Sequence, residues 1–153
     1  MNPSFEAHEI RTDESTRAAR LKWVVIVEKS TPPGRMVNAV ACVSATTGAL
    51  VDGLVGRGGA DASGSEHPGL PWAGCSVLAA GAEQLLNVRG KAVAVEGMLV
   101  VDMPLAAQTT RVYDDYLTEL ATTAPVDLAL TAISLVGPRA EVDAIVKRLS
   151  LLA

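Results

Sequence analysis

Residues 23–27, WVVIV, place the tightest constraint on this chain. An unbroken run rich in β-branched residues, opened by Lys22 and closed by Glu28, lacks the in-out alternation of a half-exposed strand. It predicts a central strand buried on both faces, which requires helices on both faces. After Thr31-Pro32-Pro33-Gly34 the period changes. In residues 35–47, Met36, Val40, Val43 and Thr47 fall on one stripe with Val37 and Ala41 beside them, which predicts a helix with Gly48 as its stop.

The alternation then repeats. Residues 72–78 and 98–102 are expected strands, with a helix over 82–95, ended by Gly97, between them. Asp102 stands at the carboxyl end of the second. Thr109 or Thr110 is a candidate cap for a helix carrying Asp114 and Asp115 in its first turn, where the helix dipole favours negative charge. A fourth strand over 128–136 leads to a helix opened by Gly137-Pro138, with Glu141 early and Lys147 and Arg148 late. Four strand-helix units imply an open α/β sheet in three layers. The sheet is mostly parallel unless residues 52–71, a long loop holding Gly53, Gly56, Gly58, Gly59, Gly64 and Gly69, invert one strand.

Length and composition narrow the function classes. The 153 residues make one domain, and 49% hydrophobic residues can fill a core. Residues 1–20 are polar and charged and are expected as a flexible or partly ordered arm, leaving 21–153 as the domain. The net charge is −4, and two Trp, two Tyr and one Phe are all the aromatics, so neither a phosphate-backbone surface nor a base-stacking platform is favoured. No apolar run reaches membrane-spanning length and the start lacks a signal-peptide core, so a cytoplasmic protein without membrane partners is expected. Cys42 and Cys75 are expected as thiols. Gly90-Lys91 and Gly56-Arg57-Gly58 each lack the rest of a phosphate or dinucleotide motif, and His and Cys show no metal-ligand spacing. No cofactor and no metal are expected.

Several residues nevertheless stand where chemistry is usually done. Asn38 and Cys42, at i and i+4, share a helix face just beyond a strand end. That face either lines a cleft, or Asn38 bonds loop backbone and Cys42 fills core. Arg35 is either a solvated helix-start charge or an anion contact. His67 in the glycine-rich loop is a candidate general base or a loop-fixing hydrogen bonder. A Cys75–His67 dyad would need the loop to fold back. Asp102 either walls the same cleft or caps the backbone of 105–109, while Tyr113 and Tyr116 are expected to pack a helix.

The blocks KWVVIVEK, PGRMVNAVA, SEHPGLPWAG, LVVDMPLAAQTTRVYDDY and ISLVGPRAEVDAIVKRL resemble, from about Leu21 onward, a bacterial domain-of-unknown-function family, number two thousand in its catalogue. That family is similar in fold to the type II peptidyl-tRNA hydrolases. The resemblance implies a mixed four-stranded sheet with helices on both faces and a homodimer. Those enzymes write their first helix as Gly-Lys, then Ala-Gln, then His; this chain has Gly34-Arg35, with Ala39 and Cys42 where the Gln and His would fall. Lys22 and Arg35 fall on the two basic positions. Two functions are therefore expected as alternatives. One is a hydrolase of an ester or amide, with Asn38 and His67 catalytic and Lys22, Arg35, Cys42 and Asp102 binding substrate. The other is a non-catalytic module or regulatory homodimer that binds a small metabolite or peptide end.

Overall fold

The computed structural model describes residues 1–153. β1 (Leu21–Glu28) carries the WVVIV run, and it is the middle strand of the sheet. Its odd-numbered side chains, Leu21, Trp23, Val25 and Val27, belong to one buried cluster, and Val24 and Ile26 belong to the other. The period-2 alternation of a strand thus sends apolar groups into two separate cores. Helix α1 (Pro33–Leu50) covers the first core through Ala39 and Val43. Helices α2 (Ala82–Val93) and α5 (Arg139–Val146) cover the second through Leu85, Val88, Val142 and Val146.

The glycine-rich loop forms a small antiparallel hairpin, β2 (Gly59–Ala60) with β3 (Glu66–His67). The following strand β4 begins at Ser76 (Ser76–Ala80), later than residue 72. Trp72, expected inside that strand, clamps the loop base instead: its indole N–H donates to the Gly53 carbonyl at 2.8 Å and its ring meets Phe5 edge-on at 4.9 Å. β5 (Leu99–Pro104), helices α3 (Leu105–Thr109) and α4 (Tyr113–Thr122), and β6 (Leu130–Pro138) follow, and the chain closes with β7 (Ser150–Leu151).

The sheet has five strands in the order β5-β6-β1-β4-β7, one more than the four expected. The extra strand, β7, pairs with β4 over only Leu78–Leu151 and Ala79–Ser150, too short for any alternation to register. β1 and β4 are parallel, whereas β6 is antiparallel to both β1 and β5. β1, β4 and β5 therefore run one way and β6 and β7 the other. The inversion comes from the helix pair α3–α4 between β5 and β6, not from the long loop.

Two cap expectations also change. Gly48 does not end α1, because a stopping glycine works through a left-handed backbone and the next one with that conformation is Gly53, at φ 73°. A side chain there would meet the Phe5 carbonyl oxygen at 2.8 Å. Thr109 and Thr110 cap nothing downstream; their hydroxyls donate back to the carbonyls of Leu105 and Ala106. The first twenty residues are laid along the domain: Phe5 is buried and its N–H donates to the Asp52 carbonyl, while the Arg139 guanidinium donates to the Ala19 and Thr16 carbonyls.

Three buried polar side chains join the central strands to α1. The Trp23 indole N–H donates to Ser134 Oγ at 2.8 Å, Ser134 and Thr47 hydroxyls lie 2.7 Å apart, and Thr47 Oγ1 is 2.7 Å from the Val43 carbonyl. The directions follow from what each group is able to do. An indole only donates and a carbonyl only accepts, so Thr47 gives its proton to Val43 and Ser134 gives its own to Thr47. Ser134→Ala strands the Trp23 N–H in the core and is expected to cost about 1–3 kcal/mol in urea unfolding with an unchanged slope. A loss under about 0.5 kcal/mol would show that the relay is dispensable.

Candidate functional site

Edge strand β5, helix α1 and the α3–α4 pair enclose a pocket of about 390 Å³. Its position follows from topology. The helix pair that reverses the chain direction after β5 must pass outside the sheet edge, and α4 brings Tyr113 and Tyr116 there. Their rings meet edge-on at 5.5 Å. α1 contributes Cys42 and Thr46, β5 contributes Asp102, and Val43, Val101, Met103 and Ala107 make the apolar wall. Arg111 lies on the α3–α4 turn at the same pocket.

Asp102 supplies the site's most distinctive group. One carboxylate oxygen accepts from Arg89 Nε at 2.8 Å, across from α2. The other, Oδ1, is buried and has no hydrogen-bond partner. A buried carboxylate oxygen without a donor carries a desolvation cost, which the Arg89 contact on the α2 side of β5 offsets only in part. The Tyr116 phenol is raised above its ordinary value by burial first, then by the neighbouring Tyr113 and Asp102. It therefore stays a neutral hydroxyl at physiological pH.

Asp102 borders the pocket, while its carboxylate turns to Arg89 and makes no hydrogen bond to the backbone of residues 105–109. Cys42 faces the same pocket and is exposed, so it is not core filling. Asn38, one turn earlier on α1, has its own partner: the Gln108 amide donates to the Asn38 side-chain oxygen at 2.9 Å and to the Arg35 carbonyl at 2.8 Å. This pair ties α3 to the first turns of α1. Gln108 Oε1 is also buried without a partner.

Lys22 and Arg35 do not converge. Lys22 sits at the start of β1 and pairs with Asp143 of α5, whereas Arg35 opens the helix that follows the end of β1, six residues or about 20 Å along the strand. His67 lies on the exposed hairpin, which leaves the far end of α1, and its ring nitrogen is 3.2 Å from Asp61. Hydrogen bonds from Ser63 and then His67 hold the Asp61 carboxyl down at about 2, so the pair fixes the hairpin. No hydrogen bond joins His67 to Asn38 or to Cys75.

Cys75 lines a different groove, with Lys22, Arg139 and Trp23, at the opposite end of β1 from Asn38. The surrounding protein pushes its thiol up to about 11 although part of the side chain reaches solvent. Both cysteines are free. No group of three or more His, Cys, Asp or Glu side chains comes together. No helix is long and apolar enough to cross a membrane.

Sequence reasoning missed Arg89, Gln108, Arg111 and Thr46, and assigned the tyrosines to packing alone. The available signal was the aromatic count. In a chain so poor in rings, Tyr113 and Tyr116 lie three residues apart on one helix.

A family model described as protein of unknown function DUF2000 matches residues 21–153. The solved structure of a protein of unknown function from Agrobacterium tumefaciens strain C58 superposes with a TM-score of 0.77 at 19% identity, covering 88% of this chain and 98% of that one. At that identity the likeness speaks for the fold. No curated protein matches the chain.

Because only the thiolate is alkylated, the raised Cys75 value predicts a rate profile. In a Cys42→Ser protein, reaction with iodoacetamide is expected to keep accelerating up to about pH 11. A plateau near the ordinary thiol value of about 8.5 would contradict the shielding of Cys75.

Proposed function

This chain belongs to the DUF2000 family of proteins of unknown function, and on that premise we propose that it is a small-ligand-binding module whose site is the Asp102–Tyr116 pocket. The observation that carries the proposal is a pocket with a largely apolar wall at which Asp102, Arg111 and the Tyr113–Tyr116 pair meet. Its size falls within the range of small-molecule sites, where a few polar groups orient an apolar ligand. Asp102 takes an N–H or O–H, the tyrosine rings and Met103 take an apolar body, and Arg111 takes an anionic end. An acylated amino acid or a peptide carboxyl end has all three parts.

Kinship with the type II peptidyl-tRNA hydrolases is part of this proposal, as a shared scaffold on which the chemistry has changed. It is supported by the mixed sheet and by the Val136-Gly137-Pro138 strand end that opens α5. A homodimer comes with the same kinship, and sedimentation equilibrium tests it directly. Binding without hydrolysis is favoured because the residues expected to catalyse are separately engaged. Gln108 occupies the Asn38 amide oxygen and Asp61 holds His67, while Lys22, expected as a substrate contact, is turned to Asp143.

The test is thermal stabilisation by a panel of acylated amino acids and short peptides, with mass spectrometry of the recovered ligand. At one hundred times the dissociation constant a bound ligand adds about 2.7 kcal/mol, a readily measured shift. Asp102→Asn and Arg111→Gln should each weaken binding about tenfold, which is about 1.4 kcal/mol, and the ligand should be recovered intact. Cleavage of the ligand would restore the hydrolase alternative, and equal binding by the Asp102→Asn protein would remove Asp102 from the site.

A further inference from the structure

On the opposite side of the sheet from the Asp102 pocket, a groove of about 720 Å³ runs along α2, from Gly81 to Lys91, against the end of α5. We infer that this groove is a binding site for a small phosphate-bearing anion, of the diphosphate or triphosphate kind. Lys29, Lys91, Lys147 and Arg148 line it, with Glu83 as its single carboxylate. None of the four cations takes part in an ion pair, whereas Arg11, Arg20, Lys22 and Arg89 are each paired with a carboxylate.

Such a concentration is unexpected in a chain of net charge −4. Four like charges around one concave surface repel one another, and a multivalent anion removes that repulsion where monovalent ions from solution do so only diffusely. Three separate elements supply them. Lys29 follows the end of β1, Lys91 lies on α2, and Lys147 and Arg148 follow α5.

The place in the fold agrees. β1 and β4 are neighbouring parallel strands, and the helices that follow them leave to opposite faces, α1 to one and α2 to the other. Their carboxyl ends therefore form the switch-point crevice where open α/β sheets bind ligands. Lys29 stands at the end of β1 and Gly81 at the end of β4, immediately before α2. Gly81 offers no side-chain cap, so the first amides of α2 add their partial positive charge to the cationic cluster.

The occupant is compact rather than a nucleic-acid strand. No aromatic side chain lines the groove, so bases find no stacking platform. Val88, Ile145 and Leu149 give it an apolar floor in place of an extended basic track.

The test is titration of the full-length protein with inorganic pyrophosphate and tripolyphosphate by calorimetry at constant ionic strength, with sulfate as the reference anion. Saturable binding at one site is expected, tightening from sulfate to tripolyphosphate by at least about tenfold. Amide resonances of Gly81 to Gln84 should shift during the titration. Lys29→Gln combined with Lys147→Gln should weaken binding about tenfold or more, and Glu83→Gln should strengthen it. Absence of saturable binding, or equal binding by the double variant with an unchanged circular dichroism spectrum, overturns the proposal. Tighter binding of a single-stranded oligonucleotide than of tripolyphosphate, lost in the double variant, also overturns it in favour of a nucleic-acid surface.

Discussion

The relay from the Trp23 indole through Ser134 and Thr47 to the Val43 carbonyl couples the elements on which everything else is built. It joins β1, β6 and α1 inside an otherwise apolar core. Every member is satisfied, which is the condition under which a buried polar network specifies one arrangement instead of weakening it. Apolar contacts alone would let α1 slide or rotate over the Val25 and Val27 surface at small cost. With Thr47 pinned, the rotation of α1 is set, and Cys42 and Thr46 are presented to the β5 edge.

The reversal of chain direction at α3–α4 has a functional side. In a sheet whose strands all ran parallel, the helix after β5 would lie flat on a face and leave the edge bare. Here the helix pair instead folds over the edge, bringing Tyr113 and Tyr116 beside Asp102. The Gln108 contacts with Asn38 and the Arg35 backbone hold that pair against α1. The pocket is thus a by-product of how β6 is inserted between β5 and β1.

Much of the layering was legible because it depends on local period. Residues 23–27 announced a doubly buried strand, and β1 is that strand at the middle of the sheet. The α/β alternation and the helices α1, α2 and α5 were likewise readable within a few residues. Strand direction was not, because α3 and α4 look like ordinary helical periods and nothing in them records that they return on the same side. β7 was invisible at two residues. For the site, Asp102 and Cys42 could be singled out from sequence but not assigned: each was left between a cleft and a structural reading, and β5 runs on past Asp102 to Pro104. Lys22 was misplaced relative to Arg35 because motif spacing counts residues and takes no account of the length of β1 between them. Arg89 and Arg111 carry no local signature at all, since their importance lies in what they face across the fold.

The shortest strand closes the account of the sheet. β4 would otherwise present its outer row of backbone N–H and C=O groups to solvent, an open template on which a second chain can add strands. Ser150 and Leu151 occupy that row, and the Leu152 N–H donates to the Val77 carbonyl, so the final residues act as a latch over the exposed margin. Keeping β4 from pairing with a neighbouring molecule is therefore entrusted to a two-residue strand that directly follows Lys147, Arg148 and Leu149 of the anion groove.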